Sequence, residues 1–117
     1  MKSRLLLVDD DVDVLEALEA VLQPAYDLSF AEDGEAALEQ LGARSFDCVV
    51  LDLMMPRVSG ADVMSAMKER GVVVPVVIAS AALDVREQAA ALGARDFVTK
   101  PFDVEVLEAK IARLVAP

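Results

Sequence analysis

The run Cys48-Val49-Val50-Leu51 is uninterrupted apolar chain ending on a carboxylate, Asp52, with Pro56 four residues further on. Such a run suits a central parallel strand covered by helices on both faces, because a half-exposed strand would alternate apolar with polar residues. In open parallel sheets, ligands and chemistry collect at the carboxyl ends of the strands. Asp52 stands at that end. A carboxylate there is poorly solvated unless positive charge comes to it, so the remaining chain is read for what it brings to the same edge.

Four further stretches have strand character: Arg4 to Val8, Tyr26 to Ala31, Val72 to Ala79 and Asp96 to Thr99, the central one extending from Phe46 to Asp52. Helical periodicity lies between them. Val14, Leu15, Leu18, Val21 and Leu22 form one face of a helix from Val12 to Leu22, closed by Pro24. Asp33 is placed to cap a helix from Gly34 to Leu41, ended by Gly42. A third helix follows Ser59-Gly60 and stops at Gly71; a fourth, weakly amphipathic, runs from Asp84 to Leu92 and ends at Gly93. Val104, Leu107, Ile111 and Leu114 mark the last, from Val104 to Val115. Five β-α units in alternation predict a doubly wound α/β fold, with a parallel sheet, right-handed crossovers and helices on both faces.

At 117 residues, 56% of them hydrophobic, the chain is expected to be one domain, residues 1–117, with a single modest core. No apolar run approaches the ~20 residues that span a bilayer, and no signal-peptide pattern opens the chain, so a cytoplasmic protein without membrane contact is expected. Cys48 is the single cysteine and is expected to be a small buried hydrophobe. A formal net charge of -10 argues against direct binding of nucleic acid and leaves room for metal ions or basic protein partners.

The strand ends would gather Asp9, Asp10 and Asp11 from the first strand, Asp52 from the third, Ser80 from the fourth and Lys100 from the fifth. Bringing carboxylates together costs several kcal/mol unless a cation intervenes, and hard oxygen donors without His or Cys suit Mg²⁺. A carboxylate beside such an ion can act as a nucleophile on phosphorus, with the ion, Lys100 and Ser80 matching the phosphoryl charge.

Several motifs in order carry a resemblance: Val8-Asp9-Asp10; Leu51-Asp52-Leu53-Met54-Met55-Pro56 with Gly60; the strand from Pro75 to Ser80-Ala81; and Gly93-Ala94-Arg95-Asp96-Phe97-Val98-Thr99-Lys100-Pro101-Phe102. Together they resemble the response-regulator receiver domain of two-component signalling, CheY-like, over essentially the whole chain. The resemblance implies a flavodoxin-like (βα)5 fold with strand order 2-1-3-4-5. It implies that Asp52 accepts a phosphoryl group from the phosphohistidine of a sensor histidine kinase or histidine phosphotransfer protein. Asp9, Asp10, Asp52 and the Met54 backbone carbonyl would hold Mg²⁺. Lys100 and Ser80 would contact the phosphoryl group, Phe97 would turn on phosphorylation, and the Lys100-Pro101 bond would be cis. Met54 and Ala82 would tune the rate of dephosphorylation. The switched surface would control a downstream protein or fused output domain, as a monomer or a phosphorylation-dependent dimer. The chain would catalyse only its own phosphorylation and dephosphorylation.

Each residue alone has a plainer reading: Asp9 to Asp11 as helix caps, Lys100 as a solvated charge, Ser80 as a turn residue, Phe97 with Met54 and Met55 as core. Asp11 is read as a cap for the first helix. A haloacid-dehalogenase-type phosphatase needs a second acid where Met54 stands, and a flavodoxin needs hydroxyls and glycines where three aspartates stand. The remaining alternative is a degenerate receiver that binds partners without phosphorylation.

Overall fold

The computed structural model describes residues 2–116, so Met1 and Pro117, the ends of the expected domain, lie outside it. The elements are β1 (Arg4–Val8), α1 (Val12–Leu22), β2 (Asp27–Ala31), α2 (Gly34–Ala43), β3 (Cys48–Leu51), α3 (Gly60–Glu69), β4 (Val76–Ser80), α4 (Val85–Leu92), β5 (Asp96–Thr99) and α5 (Val104–Val115). The strands form one parallel sheet in the order β2-β1-β3-β4-β5, the flavodoxin-like order.

Successive strand residues point to opposite faces, so a strand covered on both sides must be apolar at every position. Leu6, Val8, Val49, Leu51 and Ile78 meet Ala37 and Leu41 of α2, Val63 and Met67 of α3, and Val85 and Ala89 of α4. Leu5, Leu7, Cys48, Val50, Val77 and Val98 face the other way, against Leu15, Leu18 and Leu22 of α1 and Leu107 and Ile111 of α5. Of the face expected for α1, Val21 is instead exposed, one residue off the stripe that Leu15, Leu18 and Leu22 bury.

Four helices start on side-chain caps. Asp11 accepts from the Asp13 N–H, Asp33 from Ala36, and Asp103 from Glu105, while Ser59 and Asp62 form a reciprocal capping box. Asp11 is therefore the cap its position suggested. Gly42 does not end α2, which continues to Ala43. There the chain turns extended at Arg44, whose N–H closes the last turn on the Gln40 carbonyl. The glycines with positive φ are Gly71 and Gly93, which follow α3 and α4.

The fourth strand is shorter than its apolar run. Val72 to Pro75 form an extended strap outside the sheet, with Val73 96% exposed. Pro75 has no N–H to give a ladder, although its carbonyl accepts from Val49 at 2.9 Å.

Cys48 is fully buried in β3, and burial, the largest influence, pushes its thiol up to about 12. A thiol held neutral and out of solvent does not attack alkylating reagents. Native protein at pH 8 is expected to resist labelling by iodoacetamide, with reaction appearing only as urea unfolds the chain; prompt labelling without urea would contradict the burial.

Candidate functional site

The sheet register brings the strand ends to one edge. Val8 pairs with Leu51, so Asp9 and Asp52 leave neighbouring strands side by side; Leu51 pairs with Ile78 and Ser80 with Thr99, so β4 and β5 run two residues further before Lys100 leaves the same edge. Among the described residues, the buried polar side chains are Asp9 at 3% exposure, Asp52 at 4% and Ser80 at 0%. All three lie at this edge, and no buried side-chain polar atom among the described residues lacks a partner.

Lys100 Nζ donates to Asp9 Oδ2 at 2.6 Å and to Asp52 Oδ2 at 3.2 Å. The second oxygen of each acid is held by backbone: Asp9 Oδ1 accepts from the Asp11 N–H at 2.9 Å, and Asp52 Oδ1 from the Met54 N–H at 3.1 Å. Ser80 Oγ accepts from the Ala82 N–H at 3.2 Å, and the Lys100 N–H donates to the Ser80 carbonyl at 2.8 Å, tying the β4 and β5 loops together. The Lys100-Pro101 bond is cis. Gly60 matters for space: its N–H donates to the Leu53 carbonyl at 3.0 Å, and a Cβ there would run into the Asp52 carbonyl oxygen.

Burial is the largest influence on Asp52 and pushes its carboxyl up; the Met54 N–H and the Lys100 ammonium pull it back, Asp9 adds to the rise, and the net shift is upward. For Lys100, burial is again the largest influence and works downward. The hydrogen bond to Asp9 and the charges of Asp52 and Asp9 outweigh it and carry the ammonium above its ordinary range. The stabilisation from Lys100 is thus fully present at neutral pH and is lost as pH rises through its raised value. For Asp52 the sign is opposite: its ionised form carries a penalty at neutral pH that acidification removes.

Carboxylate oxygens of Asp9, Asp10 and Asp52 lie within 4.8 Å of one another. Three carboxylates and one ammonium leave two negative charges uncompensated, which fits a divalent cation with oxygen ligands. Asp10 is exposed, so the group opens to solvent. No lysine or arginine lies between Arg4 and Arg44, so the chain on the β1 side of this edge adds no competing cation.

Around the rim, Met54 is 63% exposed rather than packed in the core, while Met55 is buried. Ala82 is half-buried, and the half-buried Phe97 lies on β5. Beside Lys100 an apolar cavity of about 400 Å³ opens between α1 and the following turn, lined by Val14, Ala17, Leu18, Ala81, Pro101 and Phe102. Sequence reasoning did not anticipate it, since its walls come from three separate segments of the chain.

The model of the response regulator receiver domain family matches residues 5–112. The chain belongs to that family. This receiver domain is 38% identical to the response regulator MprA of Mycolicibacterium vanbaalenii, the match covering 98% of this chain and 51% of that protein. It is 35% identical to the transcriptional regulatory protein DltR of Streptococcus agalactiae, over 92% of this chain and 50% of that one. The chain thus spans about half the length of the curated relatives it matches. Among solved structures, the BeF3-activated DrrB receiver domain superposes with a TM-score of 0.89 at 30% identity, covering 100% of both chains. The receiver domain of the Francisella response regulator 1452 gives 0.91 at 26% identity, covering 97% of both. Because a relative twice as long is a transcriptional regulatory protein, the expectation of no nucleic-acid contact is confined to these 117 residues. No helix among the described residues is long and apolar enough to cross a membrane.

Asp52→Asn removes a buried like charge while Lys100 keeps Asp9. With EDTA present at pH 7, the variant is expected to be more stable than the wild type and to melt at a higher temperature. The advantage should shrink as pH is lowered toward the carboxylate range. A lower Tm at pH 7 would show that the Lys100-Asp52 attraction outweighs the burial penalty.

Proposed function

We propose that residues 1–117 form one receiver unit of a cytoplasmic two-component or phosphorelay system, in which Asp52 accepts a phosphoryl group from a partner's phosphohistidine. The observation that carries this reading is the placement of Asp52: a buried carboxylate gripped by Lys100 and the Met54 N–H, with Asp9 and Asp10 close enough to share a cation. A carboxylate short of solvent and above its ordinary pKa is a better nucleophile than one in bulk water.

In the transfer, an Asp52 carboxylate oxygen forms the new O–P bond as the partner's P–N bond breaks, and the imidazole keeps the electron pair. Lys100 then turns from the carboxylate to the oxygens of the acyl phosphate, still anchored by Asp9. The Ser80 hydroxyl, at the end of β4, donates to the same group. Asp9, Asp10, Asp52 and the Met54 carbonyl would hold Mg²⁺, which when bound neutralises charge on the phosphoryl oxygens. Phosphorylation biases a two-state equilibrium in which Ser80 and Phe97 move together and the α4-β5-α5 surface changes for a downstream protein or output domain. The chain acts catalytically on itself alone.

Intact mass before and after incubation with acetyl phosphate tests the reading. Wild-type protein is expected to gain one phosphoryl group with Mg²⁺ and none with EDTA, and Asp52→Ala none in either. Failure of the wild type to gain mass, joined to failure to bind beryllofluoride with Mg²⁺, would favour a module that binds partners without phosphate.

Lifetime follows from the rim. The exposed Met54 side chain and the Ala82 methyl can neither orient a water nor accept its proton, so the acyl phosphate is expected to decay slowly. Met54→Asn combined with Ala82→Glu should speed loss of the phosphoryl group about ten-fold, equivalent to ~1.4 kcal/mol in the barrier. An unchanged decay rate would remove these positions from the explanation.

A further inference from the structure

Two cations from different helices reach the Phe97 ring. The Arg86 guanidinium of α4 is 5.5 Å from the ring centroid, and the Lys110 ammonium of α5 is also 5.5 Å away. Both distances fall within the range where a ring's negative face attracts a cation. Lys110 is itself fixed: Asp96 Oδ1 accepts from its Nζ at 2.8 Å and from the Phe97 N–H, also at 2.8 Å. One carboxylate oxygen therefore holds both the cation and the backbone of the residue that carries the ring.

Arg86 is anchored differently. It forms no ion pair among the described residues. Its neighbours three and four residues on along the helix are Ala89 and Ala90, neither able to take its charge. The ring is its partner. α4 is also the shortest helix, eight residues long, buried through Val85 and Ala89, and without a side-chain hydrogen bond at its N-cap.

We propose that Arg86 and Lys110 form a cationic clamp that holds the Phe97 ring at the surface and sets the resting position of the switch. The inference rests on the reading of Asp52 as phosphoacceptor and of Phe97 as the side chain that turns. A ring that moves inward gives up both cation contacts. Lys110 keeps Asp96 in either state, whereas Arg86 is left with water alone, so Arg86 is the residue whose charge favours the outward ring. Arg86 acts here as a positioning residue, remote from the transferred group.

Arg86→Met keeps the length of the side chain over the ring and removes the charge. The variant is expected to bind beryllofluoride, in the presence of Mg²⁺, about three-fold more tightly than wild type, the factor that one exposed cation–ring contact represents. In unliganded Arg86→Met, the Phe97 aromatic resonances should move toward their position in the beryllofluoride-bound wild type. Arg86→Lys, which restores a cation, should move both readouts back toward wild type. Equal affinity and unmoved Phe97 resonances in Arg86→Met would overturn the clamp. If the wild type binds no beryllofluoride, the phosphoacceptor reading fails instead. The clamp is then judged by whether the Phe97 ring resonances, still measurable, differ between unliganded wild type and Arg86→Met; no difference overturns it.

Discussion

Lys100 Nζ, 2.6 Å from Asp9 and 3.2 Å from Asp52, joins segments that lie 91 and 48 residues apart in the chain, and the edge of the sheet depends on that contact. Two buried carboxylates side by side would otherwise repel each other in a medium that solvates neither. Lys100 does not make the arrangement favourable compared with an apolar one of the same shape, since desolvating three charges typically outweighs their attraction. It makes the arrangement tolerable. The upward shift of Asp52, in spite of Lys100, records the part of the burial penalty that remains. A fold that keeps such a group at the end of its central strand carries a stability defect exactly where chemistry can use it, and a divalent cation would relieve it.

The apolar framework places these charges without touching them. Registers across β1, β3, β4 and β5 bring the loops after β1, β3 and β5 to one edge, with β4 and β5 two residues longer there, while the cores on the two faces keep those registers from slipping. The loop after β3 is held from both ends. Gly60 lets α3 begin against the Asp52 carbonyl, and Gly34, at the start of α2, sits so close to Val58 that a Cβ would meet the Val58 carbonyl at 2.6 Å. Arg57, between them, takes a left-handed φ of 66° and reaches Asp33 at 3.9 Å. An exposed pair at that distance adds little energy; close backbone packing at the two glycines is what fixes where the loop runs.

The fold was legible because its constraint is visible in one dimension: strands covered on both faces must be apolar throughout, and no other element in the chain has that pattern. The same rule misled at Val72 to Pro75, where composition alone does not separate a strand from an extended strap and only the missing proline N–H marks the boundary. Asp9, Asp52, Ser80 and Lys100 were legible because each directly follows or ends a strand, so topology alone brings them to one edge. The exposure of Met54 was not, since a methionine two residues after a strand-end aspartate gives no sign of whether it faces the core or solvent. The contacts of Phe97 were not either. Arg86, Phe97 and Lys110 belong to three elements whose relative rotation no periodicity specifies, and their meeting is a property of packing.

That packing distributes stability unevenly, and the unevenness bears on function. The Asp52 end of the sheet is surrounded by α1, α3 and α5, each begun on a side-chain cap, and by a strand pair tied through the Lys100 N–H to the Ser80 carbonyl. α4 has neither a capping hydrogen bond nor a long buried stripe, and its exposed Leu83 lies in the loop that leads from Ser80. That loop leads directly from Ser80 into α4, the one helix among the described residues without a side-chain capping hydrogen bond, so a disturbance at Ser80 meets a helix start that is free to shift. The ring of Phe97 and the charge of Arg86 lie on the face that such a movement would rearrange. On the proposed reading, a phosphoryl group added at Asp52 would act through the Ser80 loop on the surface around Phe97 without unfolding the domain.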